Sequence, residues 1–412
     1  MNRRKLPILA CILFLLSGIL MLILAIFILY FSDASSIYLP YIPEISDIFD
    51  DNEFIDVVSP ASVPSPSASA IPCSSHTWEN GVCIFCGEKC SHPDHDPETQ
   101  LCIVCGIKVC HQYHNLTCSC GKKLQAEELY IDPPLFNSLS NPGHIETIEY
   151  ETPDYSGYSN SIYSKKMDIY LPFGYSNDKK YNVVLMLPGT GSDYTYWFES
   201  EHPYKYPDDT VTDVNLCNLF DNMIGNCICE PFIAVSFTYY KNNSERSATD
   251  DYDRIGAQLS QELKNDILPA VISHYSTYAE GTDYTSISAA REHFGYIGAS
   301  AGSIVGIRSA LMDNLGIFGW FGFLSGCKTP AGTLVSALQD QKYADLSICG
   351  LYAAAGISDS LRAGTYDAYN ALYSSGLIGE NNSIYNDIHS AAHEDRAWIT
   401  GIYNCLQLFF SK

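Results

Sequence analysis

The sequence predicts an α/β fold in which a mostly parallel sheet is flanked by helices, and three observations carry that reading. Short apolar runs at 183–187, 232–237 and 294–299 read as strands. Ile255, Leu259, Leu263, Ile267 and Val271 recur every four residues, so 255–273 reads as an amphipathic helix, with Pro269 near its end as the weak point. Gly298-Ala299-Ser300-Ala301-Gly302 stands where an apolar run passes into small and aliphatic residues at helical spacing, the strand, sharp turn and helix that expose a nucleophile. Strands alternating with helices put helices on both faces of a parallel sheet.

Taken in order, the chain opens with Arg3, Arg4 and Lys5 before an almost uncharged apolar run over 6–31. That run exceeds the roughly 20 residues a spanning helix needs. It is longer than a cleaved leader's apolar region of about 7–15 residues and has no small-x-small cleavage site, so an uncleaved transmembrane signal anchor is expected over 1–34. Basic residues before it, and Asp47, Asp50, Asp51, Glu53 and Asp56 after it, place the N-terminus inside and the bulk of the chain outside, a single-pass membrane protein with an extracellular catalytic domain. Residues 35–72, rich in Pro, Ser and Ala from Ser59 to Ala70, read as a linker that builds no core.

Residues 73–123 repeat. Cys73, His76, Cys83 and Cys86 are followed by Cys90, His95, Cys102 and Cys105, and then by a shortened Cys110, His114, Cys118 and Cys120. Each unit offers three thiolates and one imidazole, the Cys3His set of a closed tetrahedral zinc site, with His92 an alternate to His95. Nine cysteines cannot all pair as disulfides among themselves, whereas three Cys3His sites use all nine. Structural zinc is therefore expected here. A fully ligated zinc has no open position for water, so the repeats are structural or adhesive. They resemble small Cys/His, zinc-ribbon-like repeats in surface proteins of anaerobic Gram-positive bacteria; what they bind is not read from the sequence, and cell-wall contact is left open.

From 124 to 412 the composition is that of an enzyme domain. Residues 167–171 read as a strand, 175–180 as a turn, 183–187 as a buried strand ending in Pro188-Gly189-Thr190-Gly191, and 317–324 and 348–355 as further strands. Helices are expected over 302–312 and in a last segment carrying Ile399, Ile402, Tyr403 and Leu406. Cys217, Cys227, Cys229, Cys327, Cys349 and Cys405 allow disulfides or free thiols, and sequence assigns neither.

A serine hydroxyl needs a general base, and the base needs an orienting carboxylate. In the α/β-hydrolase order Ser, acid, His, Ser300 is the nucleophile, Asp359 just past the strand 348–355 is the acid, and His393 before the last helix is the base. Asp367 and Asp387 are alternate acids, His389 is the alternate base, and Asp359 has a competing reading as a helix cap. Oxyanion donors are expected from the Ala301 amide and from the loop around Gly189 and Thr190.

Together, 181–189, 262–280, the elbow, Leu324-Ser325-Gly326, Ala355-Gly356-Ile357-Ser358-Asp359, and His393 with Trp398, Tyr403 and Asn404 resemble the feruloyl and acetyl-xylan esterases of the esterase D-like group, carbohydrate esterase family one. The resemblance spans roughly 140–410 in matching order. It implies Ser300, Asp359 and His393 as the triad, with no catalytic cofactor. Two departures stand out. Pro188-Gly189-Thr190 replaces the family's His-Gly-Gly, and Ser300-Ala301-Gly302-Ser303 replaces its Ser-Met-Gly-Gly, so an altered pocket wall is expected.

A composition 46% hydrophobic and 17% charged is that of a globular protein. A net charge of -24, with only 23 Lys and Arg, excludes a nucleic-acid partner. The expected protein is thus a membrane-tethered serine esterase acting on acylated polysaccharide such as xylan. The competing class is a surface-attachment or glycan-binding protein with an inactive hydrolase-like domain, and a non-plant acyl ester is the third reading.

Overall fold

The computed structural model describes residues 78–79, 82–83, 90–91, 95–241 and 251–411. The chain divides into two compact units, Met1–Ser69 and Ala70–Lys412, and every described residue belongs to the second. The expected membrane anchor and the linker lie outside the described residues. Among the described residues no helix is long and apolar enough to cross a membrane.

Eight strands form one sheet: β1 His144–Pro153, β2 Ile162–Leu171, β3 Asn182–Leu187, β4 Phe232–Ser236, β5 Phe294–Ala299, β6 Trp320–Leu324, β7 Gly350–Gly356 and β8 Ser383–Ile388. Their order is β1-β2-β4-β3-β5-β6-β7-β8. β1 and β2 pair antiparallel, as do β2 and β4, and every later neighbour is parallel. This is the sheet of an α/β hydrolase. In β3, Val183, Leu185 and Leu187 enter the core on one face while Val184 and Met186 enter the core on the other. A strand covered on both sides must be apolar at every position, which is why its sequence shows no alternation.

Among the helices are α1 Leu216–Gly225, α2 Tyr252–Glu262, α3 Ala301–Gly306, α4 Ala331–Leu338, α5 Arg362–Ser374 and α6 Asp395–Leu408. The expected weak point at Pro269 does not end its helix. A π turn at Leu263–Ile267 precedes Leu268–His274, and the Leu268 N–H reaches back to the Leu263 carbonyl, so the wider turn absorbs the missing proline donor.

Asp168 on β2 is fully buried; Thr147 donates to its Oδ1 at 2.7 Å and Oδ2 is unpaired. Burial pushes its pKa up to about 6, with Glu199 and Asp193 adding to the rise. A carboxyl whose folded pKa lies above its unfolded value stabilises the fold fully below about pH 4, and that stability is lost as pH rises through about 6. Urea unfolding is expected to weaken by about 2 kcal/mol between pH 4 and 8 from this group. Asp168→Asn should flatten the pH dependence by that amount; an unchanged slope would contradict it.

The Cys/His region departs from three independent Cys3His units. Cys110 is joined to Cys227 in a disulfide. His114 is exposed and belongs to neither Cys/His cluster. His95 leaves its expected partners and gathers with His111, Cys118 and Cys120, while Cys90, Cys102 and Cys105 form a second cluster. Cys83 is buried, and Cys73, His76, Cys86 and His92 lie outside the described residues. Counting nine thiols assumed that they pair only with one another; Cys227, in the turn after α1, supplies a partner from elsewhere. Leu116 of this region packs against the core cluster containing Trp320, Phe409 and Phe410.

Candidate active site

The site is assembled at the carboxyl edge of the parallel strands, where open α/β sheets place their chemistry. Ser300 follows the last residue of β5, Asp359 lies three residues past β7, and His393 lies five past β8. Ser300 holds φ 54° and ψ −119°, a strained conformation for a non-glycine residue that lifts its side chain out of the strand-to-helix turn. Close packing locks the turn. A Cβ on Gly302 would stand 2.1 Å from the Leu187 carbonyl oxygen of the neighbouring strand, so no larger residue fits there.

Ser300 Oγ lies 2.8 Å from His393 Nε2, and His393 Nδ1 lies 2.9 Å from Asp359 Oδ2. The Asp359 carboxylate is sealed from solvent, and the imidazole is about a third exposed. Asp359 does not cap α5, whose cap is Leu361 without a side-chain bond. Its second oxygen instead accepts the Leu361 N–H at 2.7 Å, which fixes the carboxylate's orientation. Backbone bonds from Ile357 N–H to the Ile388 carbonyl and from Ser358 N–H to the Ala391 carbonyl lace the acid loop to the base loop. A Cβ on Gly356 would meet the Ala392 carbonyl at 2.4 Å, so the two loops touch only because glycine stands there. The Trp398 indole meets the His393 ring edge to face at 5.1 Å.

The alternates are placed elsewhere. Asp387 receives the Arg362 guanidinium through Nε at 2.7 Å and Nη2 at 2.5 Å, and that pairing holds its carboxyl below the usual range. Asp367 is exposed on α5 and His389 is exposed beyond β8.

Ala301 opens α3, where a helix leaves its first N–H groups without intrahelical partners. Gly189 is buried against Ser300, since a Cβ there would lie 3.2 Å from Ser300 Cβ, and Thr190 is exposed beside it. The loop is tied at its far end by the Gly191 N–H, which donates to Tyr240 Oη at 2.6 Å. Tyr240→Phe removes that bond and is expected to lower kcat about tenfold with little change in KM, a fraction of the loss when an oxyanion donor itself is removed. An unaltered kcat would show that the loop holds itself.

Of the two departures expected to alter the pocket wall, the one that introduces Ser303 places that side chain elsewhere. Ser303 is fully buried, and its hydroxyl donates to the Gly326 carbonyl at 2.6 Å, bracing the turn that packs beneath Ser300. Sequence reasoning missed Tyr240 and a second network in which Tyr196 donates to Asp395 Oδ1 at 2.5 Å and His202 Nδ1 lies 3.4 Å from Asp395 Oδ2. Only proximity of Asp395 to His393 in sequence hints at that network. A recess of about 280 Å³ is lined by Asp251, Tyr252, Asp253, Ile304, Arg308 and Lys328, and by none of Ser300, Asp359 or His393.

No protein-family model matches the chain. Over 141 residues, 34% of its length, it is 34% identical to endo-1,4-beta-xylanase Y of Acetivibrio thermocellus, and it covers only 11% of that relative. Among solved structures it is similar to a serine-to-alanine mutant of the feruloyl esterase module from Clostridium thermocellum complexed with sinapinate, with TM-score 0.57, 24% identity, and 70% of this chain covering 96% of that one. It is also similar to a CE1 ferulic acid esterase from Anaeromyces mucronatus in complex with ferulic acid, with TM-score 0.53, 18% identity, and 70% of this chain covering 99% of that one. At these identities the likeness establishes the fold, an α/β hydrolase.

Proposed function

We propose that this chain is a serine esterase that removes feruloyl or acetyl groups from plant cell-wall polysaccharide such as xylan. The observation that carries the reading is the unbroken hydrogen-bonded line Ser300, His393, Asp359 at the carboxyl ends of β5, β8 and β7. Ser300 Oγ attacks the ester carbonyl while His393 Nε2 takes its proton. The negative charge that develops on the carbonyl oxygen is met by the Ala301 amide and the 189–190 loop. Collapse breaks the ester bond, and the departing sugar oxygen takes the proton from His393. Water then repeats the sequence on the acyl-serine and releases the acid. Asp359 holds the imidazole with its proton on Nδ1 throughout.

Support for the acyl group comes from the sinapinate and ferulic acid bound by the two similar structures, and for the polysaccharide from the xylanase relative. Residues 6–31 carry the length and flanking charges of a membrane anchor, placing the catalytic domain outside the cell. The Cys/His clusters are read as structural zinc sites without a catalytic role.

The test is turnover of methyl ferulate, acetylated xylan and short acyl esters by wild type and Ser300→Ala side by side. Hydrolysis of the first or second by wild type alone is expected. Equal rates for the two proteins on every ester would sink the esterase reading, and turnover of short esters only would move the substrate away from xylan.

A further inference from the structure

The Cys/His region deepens the zinc reading on which it rests, because its ligand atoms stand at the separations a zinc ion imposes. Zn–S bonds of about 2.3 Å and Zn–N bonds of about 2.05 Å, at the tetrahedral angle, set S···S at about 3.8 Å, S···N at about 3.5 Å and N···N at about 3.3 Å. Cys118 Sγ lies 3.6 Å from His95 Nε2, Cys120 Sγ 3.5 Å from His111 Nδ1, and the two imidazole nitrogens 3.0 Å apart. All four ligand atoms fall within 4.8 Å of one another. In the second cluster Cys90 and Cys102 place their sulfurs 3.8 Å apart, far beyond the roughly 2.05 Å of a disulfide.

The ligand identities matter as much as the distances. Cys110 is committed to Cys227, and His114 is exposed. The last repeat therefore supplies two thiolates, Cys118 and Cys120, and needs two further donors. His111, beside Cys110, is one. The other is His95, which is buried and lies 23 residues before Cys118. Each cysteine pair sits on a short turn, closed by Gly106 N–H to the Cys102 carbonyl and by Gly121 N–H to the Cys118 carbonyl, both at 2.8 Å.

We infer that His95, His111, Cys118 and Cys120 form a His2Cys2 zinc site shared between consecutive repeats, with a second, cysteine-rich zinc site built on Cys90, Cys102 and Cys105. The sites are interlocked. His95 stands between Cys90 and Cys102 in sequence yet ligates the other ion, so residues 90–120 close as one unit instead of as separate beads. The same segment is fastened to the hydrolase domain by the Cys110–Cys227 bond, so the His2Cys2 ion holds the chain on both sides of that attachment.

Zinc per chain, measured by elemental mass spectrometry on the full-length protein, separates this arrangement from independent repeats. Relative to wild type, His111→Ala and Cys118→Ser are expected to lose one zinc each, His114→Ala none. His111→Cys, which restores a ligand, should retain the ion and so separates a lost ligand from a failure to fold. Loss of zinc in His114→Ala with retention in His111→Ala would overturn the shared site while leaving the zinc reading intact. A wild-type protein without zinc would overturn both.

Discussion

Ser300→Ala is expected to lower kcat for methyl ferulate and p-nitrophenyl acetate on the order of 10⁵-fold to 10⁶-fold, with KM little changed. In the proposed mechanism the hydroxyl 2.8 Å from His393 Nε2 is the atom that forms the acyl bond. What survives is the catalysis of the oxyanion donors and of binding, which persists without a nucleophile. The fold should not change. Ser300 and alanine share the same backbone strain at φ 54°, and the locked contact beneath the turn is made by Gly302. Circular dichroism and melting temperature close to wild type, with turnover gone, are the joint result expected; retained turnover would remove Ser300 from the chemistry.

Asp359→Asn should cost about 10⁴-fold in kcat. The carboxylate makes two contacts, accepting the His393 Nδ1–H and the Leu361 N–H. Asparagine keeps the second through its carbonyl oxygen but turns an NH2 toward Nδ1. The imidazole must then carry its proton on Nε2, where it faces Ser300 Oγ and cannot accept from it. The side chain is sealed from solvent, so water does not repair the mismatch. Asp387→Asn is the control. Its carboxylate serves Arg362, and both partners are partly exposed, so the change should cost less than about 1 kcal/mol of stability and leave kcat near wild type. A reversed outcome, with Asp387→Asn inactive and Asp359→Asn active, would reassign the acid.

The central strands were legible because burial on two faces leaves continuous apolar runs, and β3 to β7 fall close to their expected positions. The edges were not. β1 carries Glu146, Glu149 and Glu151 and is largely exposed, so only its ten-residue pairing with β2 makes it a strand. β8, with Asn386 and Asp387, is equally mixed and closes the other edge beside β7. The grouping of Ser300, Asp359 and His393 was legible from chain order: each follows a strand, and parallel strands bring their carboxyl ends to one edge.

Sequence by itself picked out Ser300, Asp359 and His393, which the structure brings into one hydrogen-bonded line, and the sheet that gathers them, since periodicity and chain order are local properties that a parallel sheet converts directly into position. Only the tertiary structure decided which partners the remaining groups take. Cys110 finds Cys227 across 117 residues, His95 crosses to the next repeat, and Ser303 turns inward to Gly326 instead of outward to the pocket. A repeat read along the chain groups residues by spacing, whereas a metal ion or a disulfide groups them by distance in space.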